Sequence, residues 1–306
     1  MRAAPYAVLD VGTTSVKCLI AERGPDRRWR TLVDRAEVTR LGEGLEESGA
    51  ISQDALARTV EAIEGMASVA SSLGAQGVVA VGTAGLRRAM NAREAIEAIR
   101  QGTGITVEVI SGEEEGALAY LAAASGLRLP DGSLVVFDTG GGSSQFTFGQ
   151  EGRVDERISL PVGALRYTEA FRLDGVVPDS RLAEARVAIV RDLAELDGRR
   201  QPDALVGMGG AVTNLAAVAR GMAAYDAQAM QGSLLERAEV ERQVERYQRL
   251  DAVERQSVVG LQPKRARVIL AGACIVAAIM DRLGQGTLTV SDRGLRHGLL
   301  EERFSP

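Results

Sequence analysis

The chain has 306 residues, a formal net charge of −5, and 45% hydrophobic and 25% charged residues. This is ordinary globular composition, which excludes a disordered or collagen-like chain and suits one large or two medium domains. The single histidine, His297, excludes a histidine-aligned metal hydrolase, and the two isolated cysteines, Cys18 and Cys274, give no support for a zinc framework or a set of disulfides. The acidic balance also argues against a nucleic-acid partner.

The first half of the chain is predicted to alternate strands and helices. The predicted strands are 6–10, 15–22, 77–82 and 105–110. The predicted helices are 51–73, 84–100 and 113–125. Helix 51–73 is predicted because apolar residues, among them Leu56, Val60 and Ile63, recur at helical spacing.

The same order of elements restarts after residue 132, which indicates two similar α/β domains. The predicted strands are 134–138, 144–148, 204–207 and 287–290. The predicted helices are 213–221, 239–251, 268–283 and 294–303, and 221–236 is predicted as a loop with some helix. The apolar run 268–280 is shorter than the about 20 residues a bilayer requires, so we expect a buried helix in a cytoplasmic protein without a targeting or membrane segment.

A strand, an aspartate, a glycine turn and a returning strand occur once in each half. Glycines leave backbone N–H groups unshielded, so two such turns facing each other would cradle a phosphate. A lone Asp-Gly hairpin is more often only a hairpin, but its repetition favours the functional interpretation. The strand-end aspartates could hold Mg²⁺ through water. The predicted phosphate-binding residues of these turns are Asp10, Gly12, Thr13, Thr14, Ser15, Gly140, Gly141, Gly142 and Ser143. The aspartate of the second turn is Asp138.

Other segments offer further anion sites. Gly209 and Gly210 precede a predicted helix, where they form either a third anion site or a close-packing turn. Thr83 suits the N-cap of the predicted helix 84–100. Arg87 and Arg88 near its start are unfavourable for the helix dipole, so a bound anion would explain them, although solvated surface is the alternative.

Three glutamates open the predicted helix 113–125. Ser111 and Glu114 fit a capping box, which gives Glu114 a structural role. Glu113 suits the helix dipole. Glu115 needs neither role and could act as a general base on water, the alternative being a solvated charge.

Taken in order, these motifs resemble the exopolyphosphatase/guanosine pentaphosphatase (Ppx/GppA) family. No motif is specific alone, but seven in the family's order are. They are Asp10-x-Gly-Thr-x-Ser15, Thr83-x-x-x-Arg87-x-Ala89-x-Asn91, Ile110-Ser-Gly-x-x-Glu115, Asp138-x-Gly-Gly-Gly-Ser143, Leu160-Pro-x-Gly163-Ala-x-Arg166, Gly209-Gly210 and Ser291-Asp-x-Gly-Leu-Arg296-x-Gly298.

The resemblance implies an α/β fold of two actin-like (ribonuclease H-like) domains, each with a mixed β-sheet, and an active-site cleft between them. The expected domains are 1–125 and 126–295, with a terminal helix 296–306 packing back on the first. The implied activity is Mg²⁺- or Mn²⁺-dependent removal of the terminal phosphate from polyphosphate or pppGpp by a cytoplasmic homodimer.

The resemblance also implies roles for single residues. Glu115 would activate water, and Asp138 would lie by metal and phosphate. Arg87 would bind phosphate, and the metal would be held by Asp10, Asp138 and Glu115. Gln145 stands where the family usually has glutamate, which implies a lower metal affinity or base strength, or harmless drift. A basic lining for the substrate could come from Arg40, Arg166, Lys264, Arg265, Arg267, Arg293 and Arg296.

Two other functions stay open. A small-molecule kinase would use the same cleft, but it needs an adenosine pocket and a substrate aspartate. A non-catalytic sensor of nucleotides or polyphosphate is supported by Gln145 alone. Longer relatives carry a histidine-bearing helical domain that this sequence lacks, so processivity on long chains is open, as is the choice between polyphosphate and pppGpp.

Overall fold

The structure, a computed structural model, describes residues 4–25, 28–127, 131–150 and 153–305. The strands are β1 (Tyr6–Val11), β2 (Ser15–Arg23), β3 (Trp29–Val38), β4 (Gly77–Gly82), β5 (Val107–Val109), β6 (Ser133–Thr139), β7 (Ser144–Gln150), β8 (Arg153–Leu160), β9 (Ala204–Met208), β10 (Leu234–Glu236) and β11 (Thr287–Val290). The α-helices are α1 (Leu45–Ser48), α2 (Gln53–Ser72), α3 (Ala84–Arg88), α4 (Ala92–Thr103), α5 (Gly112–Gly126), α6 (Ala164–Phe171), α7 (Asp179–Asp192), α8 (Gly210–Ala219), α9 (Ala227–Met230), α10 (Arg237–Gln248), α11 (Ala252–Arg255), α12 (Ile269–Arg282) and α13 (Leu295–Phe304).

The chain divides into two compact units. Unit 1 comprises Met1–Leu118 and Leu295–Pro306, and unit 2 comprises Ala119–Gly294. Each unit contains one mixed sheet, which confirms the expected α/β class. The division falls within α5, whereas the boundary expected from the sequence, between residues 125 and 126, lies later in that helix. Residues 128–130 of the expected linker lie outside the described residues.

Unit 1 is built on a sheet of strand order β3-β2-β1-β4-β5. Strand β1 pairs antiparallel with β2 and parallel with β4. Side chains alternate between the faces of a strand, so Leu9 joins one buried cluster with Ile63 of α2, and Val8 joins another with Leu299 of α13. Strand β1 is therefore covered on both faces, and the turn that follows Val11 is held at its end.

Unit 2 is built on a sheet of strand order β10-β11-β9-β6-β7-β8. Helix α12 is buried along nearly its whole length and packs against α6, α7, α8 and α10, which confirms the prediction of a buried helix there. Phe137 of β6 and Phe146 of β7 are fully buried and stack with their ring centroids 6.2 Å apart. In the described part of the chain, no helix has both the length and the apolar character needed to span a bilayer.

The expected single helix 84–100 is wrong, because two helices, α3 and α4, occupy that segment. Ala89 between them has an extended backbone. The Asn91 side chain explains the break, since it accepts from the Ile51 amide (2.8 Å) and donates to the Ile51 carbonyl (2.9 Å). These bonds hold the chain away from a helical path and attach it to the start of α2.

Several elements have no counterpart in the sequence-based prediction. Strands β3 and β8 are edge strands with many exposed polar residues, so they lack the apolar run that predicts a strand. Helices α6 and α7 were also missed. The segment 221–236 contains the expected short helix, α9, but also strand β10. Helix α8 begins three residues before the expected start, directly after Gly209.

Arg255 is a fully buried cation that donates hydrogen bonds to backbone carbonyls. Its guanidinium donates to the carbonyls of Leu173 (2.8 Å), Tyr247 (2.9 Å) and Gly175 (2.9 Å). Burial lowers the pKa of Arg255 to about 10, which still leaves it charged at neutral pH. The side chain therefore joins the chain after α6 to the end of α10.

We expect Arg255→Met to lower the free energy of unfolding by roughly 2–4 kcal/mol, because it leaves several buried carbonyls without donors. Urea denaturation followed by circular dichroism measures the change. The exposed Arg246, on α10 of the same unit, provides the matched control as Arg246→Met, for which we expect a change within about 0.5 kcal/mol. Equal stability of the two variants would contradict this role for Arg255.

Candidate active site

The two glycine turns are closed by the same backbone hydrogen bond. In unit 1 the Gly12 amide donates to the Ser15 carbonyl at 3.0 Å, and in unit 2 the Gly140 amide donates to the Ser143 carbonyl at 2.9 Å. A Cβ on Gly12 would lie only 3.0 Å from the Ser15 carbonyl oxygen, so a side chain there would strain the turn. The repeat inferred from the sequence is thus a repeat of local structure.

In unit 1 the carbonyls of this turn are bound from one side. The Thr13 carbonyl accepts from the amide of residue 42 (2.9 Å), and the Thr14 carbonyl accepts from the amides of residues 39 (3.1 Å) and 40 (2.9 Å). A Cβ on Gly42 would lie 2.3 Å from Thr13 Cγ2, so this approach requires glycine. The backbone amides of segment 39–42 therefore bind the carbonyl oxygens of the turn.

Unit 2 uses a helix start for the same purpose. The Gly140 carbonyl accepts from the Ala164 amide (3.0 Å), and the Gly141 carbonyl accepts from the Leu165 (2.9 Å) and Arg166 amides. A Cβ on Gly163 would lie 2.3 Å from the Gly141 oxygen, so that close approach also requires glycine.

The N–H groups of both turns point the other way. In a trans peptide the C=O and the next N–H lie on opposite sides, so the amides of Thr14, Gly141 and Gly142 face away from the segments that bind the carbonyls. Within the described ranges these three amides donate no hydrogen bond. Amides arranged in this way can bind an oxyanion.

Thr14 adds a hydroxyl to the first turn. Thr14 is 5% exposed, and its Oγ1 atom is buried without a hydrogen-bond partner among the described residues. A buried hydroxyl without a protein partner costs free energy unless a ligand or a water binds it. This observation fits the prediction that Thr14 contacts phosphate.

Two aspartates stand at matching positions beside the turns. Asp10 pairs across the hairpin with Lys17, whose Nζ lies 3.2 Å from Asp10 Oδ2. Asp138 pairs across the second hairpin with Gln145. The buried Gln145 amide donates to Ser143 Oγ at 2.7 Å and to Ser159 Oγ at 3.1 Å. The position opposite the aspartate thus carries a cation in one unit and a neutral amide in the other.

Asp138 lies beside the start of α8. Gly209 has φ of 91°, and a Cβ there would lie 2.4 Å from Asp138 Oδ1. A Cβ on Gly210 would lie 2.7 Å from the Arg265 guanidinium carbon. Burial lowers the pKa of Arg265, while the negative charge of Asp138 acts in the opposite direction. Gly209, Gly210, Asp138 and Arg265 therefore form one cluster in unit 2.

The α5 start in unit 1 confirms the capping box. The Ser111 amide donates to Glu114 Oε2 (2.7 Å), and the Glu114 amide donates to Ser111 Oγ (3.1 Å). Hydrogen bonding of the Glu114 carboxylate to the Ser111 backbone, and to the Ser111 side chain, lowers the pKa of Glu114. Glu115 instead accepts from Arg87 Nη1 at 2.8 Å. Two site residues predicted from separate motifs thus form an ion pair.

The reason for expecting an anion at the start of helix 84–100 is wrong. Arg87 and Arg88 lie in the last turn of α3, where the helix dipole favours cations. Arg88 forms an ion pair with Glu46. Thr83 precedes α3, but its side chain makes no capping hydrogen bond.

Two other predicted cations, Arg166 and Arg296, have partners within the protein. Arg166 donates to the Pro161 carbonyl through Nη1. Arg296 binds both carboxylate oxygens of Asp34, at 2.8 and 2.9 Å, and His297 Nε2 lies 3.6 Å from the same carboxylate. Of the predicted basic lining, the structure places Arg265 beside Asp138, as described above, and the backbone amide of residue 40 against the first turn.

The carboxylate beside each turn is a ligand of the kind that suits a hard divalent cation. Asp10 supplies such a carboxylate in unit 1 and Asp138 supplies one in unit 2, and Mg²⁺ is commonly bound by one or two carboxylates plus phosphate oxygens. Across residues 4–25, 28–127, 131–150 and 153–305, no three acidic, cysteine or histidine side chains cluster closely enough to hold a metal unaided. Lys17 was missed as a neighbour of Asp10, although pairing the strands symmetrically about the turn would have placed the two opposite each other.

A model of the Ppx/GppA phosphatase family matches residues 19–304. The chain belongs to the Ppx/GppA phosphatase family. Among its relatives, exopolyphosphatase 2 of Mycobacterium tuberculosis is 31% identical, and the match covers 96% of each protein. A bifunctional 3-dehydroquinate synthase/phosphatase of Fusobacterium nucleatum is 27% identical over 97% of this chain, which spans only 46% of that protein.

Two further Ppx/GppA comparisons extend the match. The guanosine-5'-triphosphate,3'-diphosphate pyrophosphatase of Vibrio vulnificus is 29% identical over 98% of this chain and 59% of its own length. The solved structure of the Aquifex aeolicus PPX-GPPA enzyme is 32% identical, covers 98% of this chain and 99% of its own, and superposes with a TM-score of 0.80.

For this Ppx/GppA protein we expect Gly209→Ala to lower the free energy of unfolding by roughly 2–4 kcal/mol. The substitution forces a side chain into a left-handed backbone and against the Asp138 carboxylate. Chemical denaturation measures the effect, with Gly286→Ala as the matched control, since a Cβ there meets nothing within 4 Å. A Gly209→Ala protein as stable as the control would refute the packing argument.

Proposed function

We propose that the chain is a phosphoanhydride hydrolase that removes the terminal phosphate of inorganic polyphosphate, of pppGpp, or of both. The observation that carries the proposal is the pair of turns whose carbonyls are bound on one side and whose amides face the other. Such turns suit the oxygen atoms of a phosphate chain. Glu115, in unit 1, supplies the group that distinguishes hydrolysis from binding alone.

The relatives support the substrate class. Proteins named exopolyphosphatase and guanosine-5'-triphosphate,3'-diphosphate pyrophosphatase both match nearly the whole of this chain. Both names describe removal of phosphate from a phosphoanhydride. The synthase named in the bifunctional relative is not part of the proposal, because this chain spans less than half of that protein.

The proposed reaction is an attack by water on the terminal phosphorus. Glu115 accepts a proton from the water as the new O–P bond forms and the anhydride P–O bond breaks, which releases orthophosphate and a substrate shorter by one phosphate. Phosphoryl transfer needs mainly positioning and neutralisation of charge. The turn amides, the Thr14 hydroxyl, Arg87 and Arg265 would meet the phosphate oxygens.

Asp10 and Asp138, with Glu115, are the residues proposed to hold Mg²⁺ or Mn²⁺. When bound, such an ion supplies charge neutralisation to the phosphate oxygens. Lys17 already offsets the charge of Asp10, and Gln145 adds none beside Asp138. We therefore propose a weakly held metal that enters together with the substrate. A cytoplasmic homodimer remains part of the expectation carried by the resemblance.

We expect Glu115→Gln to lower phosphate release by roughly 10²–10⁴-fold, because the amide cannot accept the water proton. Release from polyphosphate and from pppGpp is measured side by side, with Mg²⁺ and then with EDTA. Glu113→Gln is the matched control, since Glu113 is exposed in the same first helical turn.

Two outcomes would contradict the proposal. If the unaltered protein releases no phosphate from either substrate but binds one of them, the chain is a sensor, which is the alternative that Gln145 favours. If Glu115→Gln retains the full rate, another group activates the water.

We expect Gln145→Glu to tighten divalent-metal binding, with half-saturation by Mg²⁺ at a concentration about tenfold lower, because it adds a carboxylate opposite Asp138. Calorimetric titration of Mg²⁺ into the protein with tripolyphosphate measures the affinity. Gln150→Glu, at the far end of the same strand, is the matched control. An unchanged affinity in Gln145→Glu would remove position 145 from the metal site.

A further inference from the structure

We propose that Arg87 is a positioning residue, which fixes the Glu115 carboxylate relative to the substrate phosphate through one rigid guanidinium group. The inference rests on the proposed function and deepens it. It gives Arg87 a role in placing the base, in addition to the phosphate contact that the resemblance implies.

One nitrogen of Arg87 is fully used inside the protein. Nη1 donates to the Ile110 carbonyl at 2.9 Å and to Glu115 Oε2 at 2.8 Å, which accounts for both of its hydrogens. Ile110 directly follows β5, and Glu115 lies in the first turn of α5. The guanidinium thus joins a strand end to the helix that carries the base.

The pair is partly shielded from solvent, with side-chain exposures of 21% for Arg87 and 12% for Glu115. Shielding reduces screening by water, and a carboxylate–guanidinium hydrogen bond is directional. The contact therefore holds one Glu115 oxygen in place, where an exposed pair would let it rotate freely.

The other side of the same group is available. Among the described residues, Arg87 Nε and Nη2 donate to no protein acceptor. These two nitrogens form the fork that binds carboxylate or phosphate oxygens in pairs. Because the guanidinium is planar and rigid, a phosphate bound to one side stands at a set distance from the carboxylate bound to the other.

The helix that carries Arg87 also packs against the first turn. A Cβ on Gly85 would lie 3.2 Å from Thr13 Cα, so α3 approaches the turn closely. The Arg87 amide donates to the Thr83 carbonyl at 3.0 Å, and the Thr83 amide donates to the Val11 carbonyl at 3.2 Å. Backbone contacts in unit 1 therefore place the Arg87 side chain relative to both the turn and the base.

The test separates charge from shape with Arg87→Lys. Lysine keeps the positive charge that attracts phosphate but cannot bridge two partners through a plane. We expect kcat to fall about 10²-fold, since misplacement of a reacting group by about 1 Å has an effect of this size, while KM changes less than about threefold. Arg88→Lys, at the next position and paired with Glu46, is the matched control.

A double-mutant cycle shows whether Arg87 acts through Glu115. In the Glu115→Gln background, we expect Arg87→Lys to have little further effect on kcat, because residues that act as a unit are not additive. Additive losses, or a raised KM with unchanged kcat, would overturn the positioning role and leave Arg87 as a simple phosphate ligand.

Arg87→Ala with added guanidinium keeps the test decisive if Arg87→Lys folds poorly. Millimolar guanidinium, but not ethylammonium, should restore part of kcat, and equal restoration by both would overturn the proposal.

Phosphate release by the unaltered protein separates the positioning role of Arg87 from the proposed hydrolase function. Its absence defeats the proposed function, whereas its presence with a pure KM effect in Arg87→Lys defeats only the positioning role.

Discussion

The site depends on one constraint, namely that a trans peptide cannot turn its oxygen and the following N–H to the same side. In both units, amides from another segment bind the carbonyls of the glycine turn and so set the direction of the turn's own N–H groups. Gly42 and Gly163 make this approach possible, because a side chain at either position would meet the turn itself. The direction of the turn amides, which we propose to bind phosphate, is thus set by segments that need not touch phosphate.

The two glycine turns share this backbone arrangement, but the side chain opposite the aspartate differs between them. Lys17 neutralises Asp10, while Gln145 bonds to two serine hydroxyls beside Asp138. With the same strand pairing in each hairpin, the difference in charge is local to one position. In unit 2 the cation near the aspartate is instead Arg265, which comes from another segment of the chain.

The sequence predicted the features that depend only on residues close together in the chain. The turns at Asp10 and Asp138 follow from glycines and hydroxyl residues after an apolar run, and the Ser111–Glu114 capping box needs only its spacing. Contacts between distant segments could not be predicted in this way. The break after α3 depends on the Asn91 side chain meeting Ile51, and the pairing of Arg87 with Glu115 joins two motifs. The edge strands β3 and β8 were missed because their side chains are largely solvated.

Arg255 has a consequence for how unit 2 assembles. Its carbonyl partners lie in three separate stretches of the chain, at residues 173 and 175, at residue 247 and at residue 266. A guanidinium loses its water only at a large cost unless acceptors replace that water, so burial before all these segments have arrived is unfavourable. Partly folded forms in which only some of them are in place are therefore penalised. Arg255 therefore makes the folding transition of unit 2 more nearly all-or-none, because the segments of this unit gain their common hydrogen-bond donor only when they are together.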